Sequence, residues 1–424
     1  MNVHEATLKR LDRVLADFDN VYVSFSGGKD SGVLLNLCID HLRAKYPGRK
    51  LGVFHLDYEA QYEMTTRYVN ETLASNADIL EIYRVCVPFK VTTGTSMYQN
   101  HWRPWQPDLS NAWVSKMPDA CYTKRDFPFF HEEMWDHEFL ERFSLWLHER
   151  KRARRTCCLV GMRTRESLHY WRALHDKRKY RHHERLIWTT QVHDNVFNAY
   201  PIFDWRTEDI WTANAHFKWT YNRVYDLYHG AGLSIASMRV ASPFFSAAQE
   251  CLRLYRVIEP HTWGKLLNRV NGVHCTGIHG GTSVMGWKSI KLPPGHAWES
   301  YMYFLLNTLP EHTRANYLAK LKTSAKFWRE RGGLLSDVTI RELREAGVKI
   351  AVGERSIHKT NRKPVRMEYI DDIDSAEFHL IPTYKRICIC ILKNDHLCRY
   401  MGFSLTKSEE ERGKAIIDKY MMSS

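Results

Sequence analysis

The chain has no apolar run of 18 residues, so nothing in it reads as a membrane-spanning helix and no membrane partner is expected. Met1-Asn2-Val3-His4-Glu5 lacks the apolar segment of a secretory signal, which makes the cytoplasm the expected location. Internal repeats and low-complexity tracts are absent as well. The ten cysteines stand at irregular positions, and without a secretory signal they point to reduced thiols rather than a disulfide framework. Acid is scarce relative to base: 48 Asp and Glu face 61 Lys and Arg, a formal charge of +13. That balance favours polyanionic partners. Arginines recruited by a small nucleotide would give the same excess, so charge alone leaves nucleic acid and nucleotide both open.

What is present is enough for a sizeable core. At 424 residues and 44% hydrophobic, the chain is expected to form two domains or one enlarged domain. Its most informative stretch is Val21-Tyr22-Val23-Ser24-Phe25-Ser26-Gly27-Gly28-Lys29-Asp30-Ser31, followed by a helical pattern through Arg43. It reads as strand, loop and helix. Adjacent glycines allow a sharp turn that brings N–H groups against an anion, and the helix aims the positive end of its dipole at the same point. Lys29 adds a mobile cation, Ser26 and Ser31 add hydroxyls, and Asp30 reads either as a magnesium ligand or as a helix cap. A Gly-Gly turn alone is common; the whole hexapeptide between a strand and a helix is far more specific. Its spacing also differs from the longer Walker loop.

Around this loop the pattern is that of an α/β protein. Leu8, Leu11, Val14, Leu15 and Phe18 mark an amphipathic helix, and Leu51–Asp57 and Ile79–Val87 read as further strands with a helix from Glu59 between them. Strand–helix–strand order predicts a parallel sheet with ligands at the carboxyl ends of its strands. Asp57 sits at such an end, as a ribose ligand or as the cap of the next helix. Residues 88–131, rich in proline and carrying Trp102, Trp105 and Trp113, read as an irregular excursion that either stacks a base or packs on the surface. A helix is expected over His131–Lys151. Thr156–Val160 then forms a strand that opens into Gly161-Met162-Arg163-Thr164-Arg165-Glu166-Ser167, with Arg172 beyond. Arg163 and Arg165 offer planar charged forks suited to phosphate oxygens, with Glu166 orienting them. The basic run from Lys177 to Arg185 reads as a solvated face or a guide for a polyanion.

The hexapeptide resembles the loop of the N-type ATP pyrophosphatase (PP-loop, adenine nucleotide alpha hydrolase) superfamily, which includes PAPS reductases, ATP sulfurylase small subunits and tRNA and DNA thiolation enzymes. The Gly-Met-Arg-Thr-Arg-Glu-Ser run is similar to a Gly-Ile-Arg-Ala-Asp-Glu-Ser type of motif in PAPS reductases and sulfurylases. Pro201-Ile202-Phe203-Asp204-Trp205 and Tyr221–Asp226 echo later family segments, so the likeness spans roughly 18 to 240. It implies a Rossmann-like (HUP) fold for 1–240, with ATP or PAPS bound by Ser24, Ser26, Gly27, Gly28, Ser31, Asp57, Tyr58, Gly161 and Glu166. Glu59 is a weaker candidate beside the adenosine. Lys29, Asp30, Arg163 and Arg165 would carry the chemistry, and Asp30 would hold Mg²⁺.

The chain also departs from these relatives. It has no C-terminal Glu-Cys-Gly-Leu-His segment, and Cys121-Tyr122-Thr123-Lys124 resembles only half of an adenylyl-sulfate reductase cluster motif, so no iron–sulfur cluster is expected. What survives is nucleotide binding with cleavage at the α-phosphate: an enzyme that adenylates an acceptor and releases pyrophosphate. The alternatives are a sulfonucleotide reductase or sulfurtransferase using Cys121 or Cys388/Cys390, and a non-catalytic nucleotide-sensing regulator. Residues 241–424 read as a mainly helical addition, with helices over Trp298–Leu309 and Glu311–Arg331 and a helical cap or winged arrangement over Leu335–Val348. Tyr384–Leu392 alternates as a strand that would put Cys388 and Cys390 on one face, near Cys398. His274, Cys275 and His279 read as part of a glycine-rich loop. This tail looks like that of bacterial immunoglobulin-binding regulator A-like proteins, which implies a ParB-like partner and a setting in nucleic-acid modification or phage defence.

Overall fold

The computed structural model describes residues 2–96, 98–164, 182–235, 238–245, 248–252, 254–274, 290, 292–354 and 362–403. The chain divides into two compact units. The first comprises Met1–Val91, His101–Pro243 and Glu250–Arg269, and the second Thr92–Asn100, Phe244–Gln249 and Val270–Ser424.

The first unit opens with α1 (Val3–Asp17), whose buried face of Ala6, Leu11, Val14 and Leu15 follows the helical spacing of the sequence and whose Asn2 side chain caps the Glu5 amide. Then come β1 (Asn20–Ser24), α2 (Lys29–Lys45), β2 (Leu51–Leu56), α3 (Glu63–Ser75), β3 (Leu80–Val85), α4 (Asp136–Arg150) and β4 (Thr156–Val160). They are followed by β5 (Thr189–His193), β6 (Val196–Ala199), α5 (Thr207–Phe217), α6 (Val224–Gly230) and α7 (Pro260–Arg269). The strands form one sheet in the order β3-β2-β1-β4-β6-β5. All neighbours are parallel except β5, which runs antiparallel to β6 at the edge. This is the expected Rossmann-like α/β sheet flanked by helices. Val21, Val23, Val53, Leu159 and Ala199 from the strands pack with Leu34, Leu35 and Ile39 of α2 in its core. Strands buried on both faces read as near-continuous apolar runs, which is why this half was visible in the sequence.

The chain leaves β1 to pair β2 and β3 on one side, then returns to pair β4 on the other. The order therefore switches direction between β1 and β4, the place where an open parallel sheet leaves a crevice at its carboxyl edge. The loops that follow these two strands are Phe25–Gly28 and Gly161–Thr164.

The second unit contains α8 (Trp298–Thr308), α9 (Glu311–Glu330), β7 (Gly333–Leu335), α10 (Asp337–Glu345), β8 (Ile350–Val352), β9 (Lys363–Met367) and α11 (Tyr384–Leu392). Its three strands form an antiparallel sheet, β8-β9-β7, with α10 between β7 and β8 in sequence, in keeping with a winged arrangement. The expected strand at Tyr384–Leu392 is instead the helix α11, started by the Thr383 side chain accepting from the Arg386 amide. A short apolar run carries no period long enough to separate a strand from a buried helix. Here Ile387, Cys388, Ile389, Cys390 and Ile391 are all buried with Trp298, Met302 and Tyr317, so the face on which Cys388 and Cys390 were to align does not exist.

Among the described residues no helix is long and apolar enough to cross a membrane. Cys275 and His279 lie outside the described residues, as do Arg165, Glu166, Ser167, Arg172 and most of the basic run.

Candidate nucleotide site

The loop after β1 is shaped by its own sequence. Gly27 has φ +76°, and a Cβ there would lie 2.8 Å from Val69 Cγ2, so glycine is required for conformation and for space. Ser31 Oγ accepts from the Ser26 amide at 3.2 Å, lies 3.0 Å from Ser26 Oγ and donates to the Gly28 carbonyl at 3.2 Å. These hydroxyls, expected as phosphate donors, thus stiffen the turn in this geometry. Gly28 caps α2 without any side-chain hydrogen bond. Ser26 Oγ accepts from the Gly28 amide at 3.3 Å, and the first amides of this 17-residue helix carry its positive end.

Two residues nearly two hundred positions along the chain brace the loop. Asn222 Nδ2 donates to the Gly27 carbonyl at 3.1 Å and to Thr65 Oγ1 at 2.8 Å, and Tyr225 Oη accepts from the Lys29 amide at 3.1 Å. The Lys29 ammonium lies 5.7 Å from the centre of the Tyr225 ring.

Gly161 presses directly on the same helix start. A Cβ on it would lie 2.9 Å from the Ser31 amide nitrogen and 3.0 Å from the Asp30 carbonyl, so only glycine permits the approach. Two residues on, Arg163 is 3% exposed and donates through Nε to Asp30 Oδ1 at 2.6 Å and through Nη1 to Thr207 Oγ1 at 3.1 Å. Asp30 Oδ2 lies 2.9 Å from Lys29 Nζ. One carboxylate is shared between two cations at the positive end of a helix, which leaves a net positive site. The chemistry open to it is the binding of an anion with several oxygens, which would take over the contacts Asp30 now supplies.

The loop after β2 has a different character. Asp57 Oδ2 receives both Arg84 Nε at 3.0 Å and Arg84 Nη2 at 2.7 Å, while Oδ1 accepts from the Glu59 amide at 2.9 Å. Tyr58 Oη donates to Asp136 at 3.2 Å, and burial pushes its phenol well up from the usual range. Glu59, at φ +66°, pairs with Arg269 through Nε at 2.8 Å and Nη2 at 2.9 Å, and also accepts from the amides of Trp105 and Val114. The two tryptophans Trp102 and Trp105 are 1% exposed, with Trp105 Nε1 donating to the Asp57 carbonyl. They pack rather than present a face for a base. His55, in β2, sits against the Phe25 carbonyl at 2.7 Å, and burial holds its imidazole below its ordinary pKa despite the neighbouring Asp57.

The structure therefore brings Ser26, Gly27, Gly28, Lys29, Asp30, Ser31, Gly161 and Arg163 together, with Ser24 at the end of β1. Asp57, Tyr58 and Glu59 lie in the loop after β2 with their side chains engaged by other protein groups. Sequence reading missed Thr207, Asn222 and Tyr225 as members of the site. The signal available was the Tyr221–Asp226 stretch itself, singled out for resemblance but not for contact with the loop.

Residues 232–412 match the family model described as Domain of unknown function (DUF3440). Among solved structures, the chain is similar to the FMN adenylyltransferase of Candida glabrata with FAD and pyrophosphate at 16% identity and TM-score 0.32, covering 53% of this chain and 58% of that one. It is also similar to the phosphoadenylyl-sulfate (PAPS) reductase of Candida auris at 14% identity and TM-score 0.29, covering 54% and 85% of the two chains. The U34-tRNA thiolase NcsA of Methanococcus maripaludis shares 12% identity at TM-score 0.31, covering 65% and 78%. Among curated proteins, "Uncharacterized protein YbdN" of Escherichia coli (strain K12) is 31% identical over 414 residues, which is 96% of this chain and 92% of that protein. With that identity sustained over nearly the whole of both chains, this chain belongs to the family of YbdN.

Proposed function

We propose that the crevice between β1 and β4 binds ATP, and that the protein cleaves the α–β phosphate bond to adenylate an acceptor and release pyrophosphate. The observation that carries this reading is the convergence of the Lys29 ammonium and the Arg163 guanidinium on one shared carboxylate, at the start of α2. An incoming polyphosphate replaces Asp30 on these two cations, and they neutralise the charge that develops on departing pyrophosphate. Asp30, so released, is the carboxylate at the loop suited to Mg²⁺, an ion commonly held by one or two carboxylates together with substrate phosphates. Mg²⁺ supplies further charge neutralisation there. Asp57, through Arg84, sets the shape of the neighbouring loop on the side where the ribose would lie. No residue of the site reads as a nucleophile, so the acceptor arrives on a second molecule, a nucleic acid or a ParB-like protein in a modification or phage-defence setting.

The test is to follow radiolabelled ATP with the pure protein and to identify the product. AMP or an adenylated acceptor together with pyrophosphate, lost in Lys29→Ala and Arg163→Ala, supports the reading. ADP and phosphate overturn it.

A second reading is favoured by one observation. Among the described cysteines Cys121 is half-exposed while the others are buried. If the bound nucleotide is PAPS and the reaction is that of a sulfonucleotide reductase or sulfurtransferase, Cys121 is the thiol that carries it, and sulfite release abolished by Cys121→Ser would identify it. Salt-dependent binding of DNA without turnover would instead mark a nucleotide-sensing regulator.

A further inference from the structure

Cys86 is the first residue beyond β3, at the same carboxyl edge of the sheet as the loops after β1 and β2. Its amide donates to the Tyr122 carbonyl at 2.8 Å, and the Tyr122 amide donates to the Arg84 carbonyl at 2.7 Å. These two main-chain bonds hold the Cys121–Tyr122 stretch alongside the end of the strand. The parallel bridge between Val85 and Tyr122 sets Cys86 and Cys121 on adjacent stretches of chain. Cys86 is 1% exposed, whereas Cys121 is half-buried.

The electrical surroundings separate Cys121 from its neighbour Cys86, whose thiol is pushed up by Cys121 and by burial. The neighbouring Cys86 thiol is the main influence holding the Cys121 thiol below its usual pKa, with help from the Arg84 guanidinium, against partial burial and the carboxylates of Asp57 and Asp126. Burial acts the other way elsewhere, raising Cys38 and Cys157 and pushing Cys158 and Cys388 up to about 12. A thiol that is partly accessible and held below its usual pKa, with a second thiol on the adjacent stretch of chain, has the features of a reactive rather than a structural cysteine.

We propose that Cys121 and Cys86 form a peroxide-reactive thiol pair, with Cys121 the attacking sulfur and Cys86 the resolving one. The Cys121 thiolate attacks one oxygen of a hydroperoxide; an S–O bond forms, the O–O bond breaks, and the leaving oxygen departs as water or alcohol after taking a proton. The Cys86 sulfur then attacks the sulfenic sulfur, an S–S bond replaces the S–O bond, and water leaves with the Cys86 proton. The two thiols supply the two electrons that reduce the peroxide, and an external dithiol returns both to the reduced state. The product is an internal disulfide joining the Cys121 loop to the end of β3. This assignment is independent of the nucleotide reading and holds or fails whether or not ATP is cleaved.

The experiment treats the full-length, fully reduced protein with hydrogen peroxide and analyses it by intact mass and peptide mapping. The expected result is loss of two hydrogens and a cross-linked peptide pair containing Cys86 and Cys121, reversed by a dithiol. In Cys86→Ser and Cys86→Ala, the Cys121 sulfenic acid accumulates and is trapped by dimedone. In Cys121→Ser neither product forms. Without peroxide, iodoacetamide at neutral pH should label Cys121 at least about tenfold faster than any other cysteine. Retention of both thiols under peroxide, a cross-link elsewhere, or labelling of Cys121 no faster than the rest overturns the proposal.

Discussion

Arg163 Nε donates to Asp30 Oδ1 at 2.6 Å, joining the loop after β4 to the helix that follows β1. The guanidinium uses a second edge on Thr207, so one planar group fixes two elements at once. Arg163→Ala should lower AMP and pyrophosphate formation by about 100-fold, the scale for losing one charge-stabilising donor. Arg163→Lys should recover only part of it, because a point charge cannot make both contacts. Quantifying labelled AMP in the three proteins checks this, and equal rates in all would remove Arg163 from the site.

Gly161→Ala should weaken folding by about 1–3 kcal/mol, the usual cost of forcing an extra methyl into a packed site. Its Cβ would meet backbone atoms of Asp30 and Ser31, which cannot swing aside. Gly230→Ala serves as the comparison, because nothing lies within 4 Å of a Cβ there. That variant, at the end of α6, should match or slightly exceed the parent stability. Urea denaturation of both variants measures the contrast.

Removing one partner of the Glu59–Arg269 pair should be severe. Their side chains are 0% and 2% exposed, so Glu59→Gln or Arg269→Met leaves a buried charge without its counter-ion. The expected cost is about 3–5 kcal/mol. Replacing both together should cost less than the sum of the single changes, and a double-mutant cycle in chemical denaturation gives the coupling.

Burial holds His55 and His396 below their ordinary pKa in the folded protein, so each binds a proton more readily when unfolded. Their contribution to stability is complete above the unfolded value of about 6.5 and falls away as pH drops from there through the lower folded value. Melting temperature should therefore decline between about pH 6.5 and 5, before most carboxylates titrate. His55→Asn should be less stable at neutral pH yet show a shallower decline, measured by thermal melts across that range.

The sequence made the β1–α2 unit legible because three independent signals coincide there: a buried β-branched run, a glycine pair and a helical pattern. Gly161 and Arg163 were readable for a similar reason, since a strand ending in glycine and arginine is a pattern in itself. Asp57 was harder. Its position at a strand end was correct, but nothing local in the sequence announced that Arg84, on the next strand, would engage its carboxylate. The error at Tyr384–Leu392 has the opposite origin, because the short Ile387–Ile391 run of β-branched and sulfur side chains satisfies either period and packing on α8 decided it. Tyr225 and Asn222 were invisible as loop supports because sequence pattern reports neighbours along the chain, and theirs are about two hundred positions away.

That separation has a bearing on how the protein is made. Asn222 and Tyr225 reach the loop across 195 and 196 positions, and β4, which flanks β1, is itself far downstream. During vectorial synthesis the amino-terminal half therefore emerges from the ribosome before the groups that buttress its anion seat have been translated. On the proposed reading, a ribosome stalled before Asn222 should display a chain that ATP stabilises and protects from protease less than it does the finished protein.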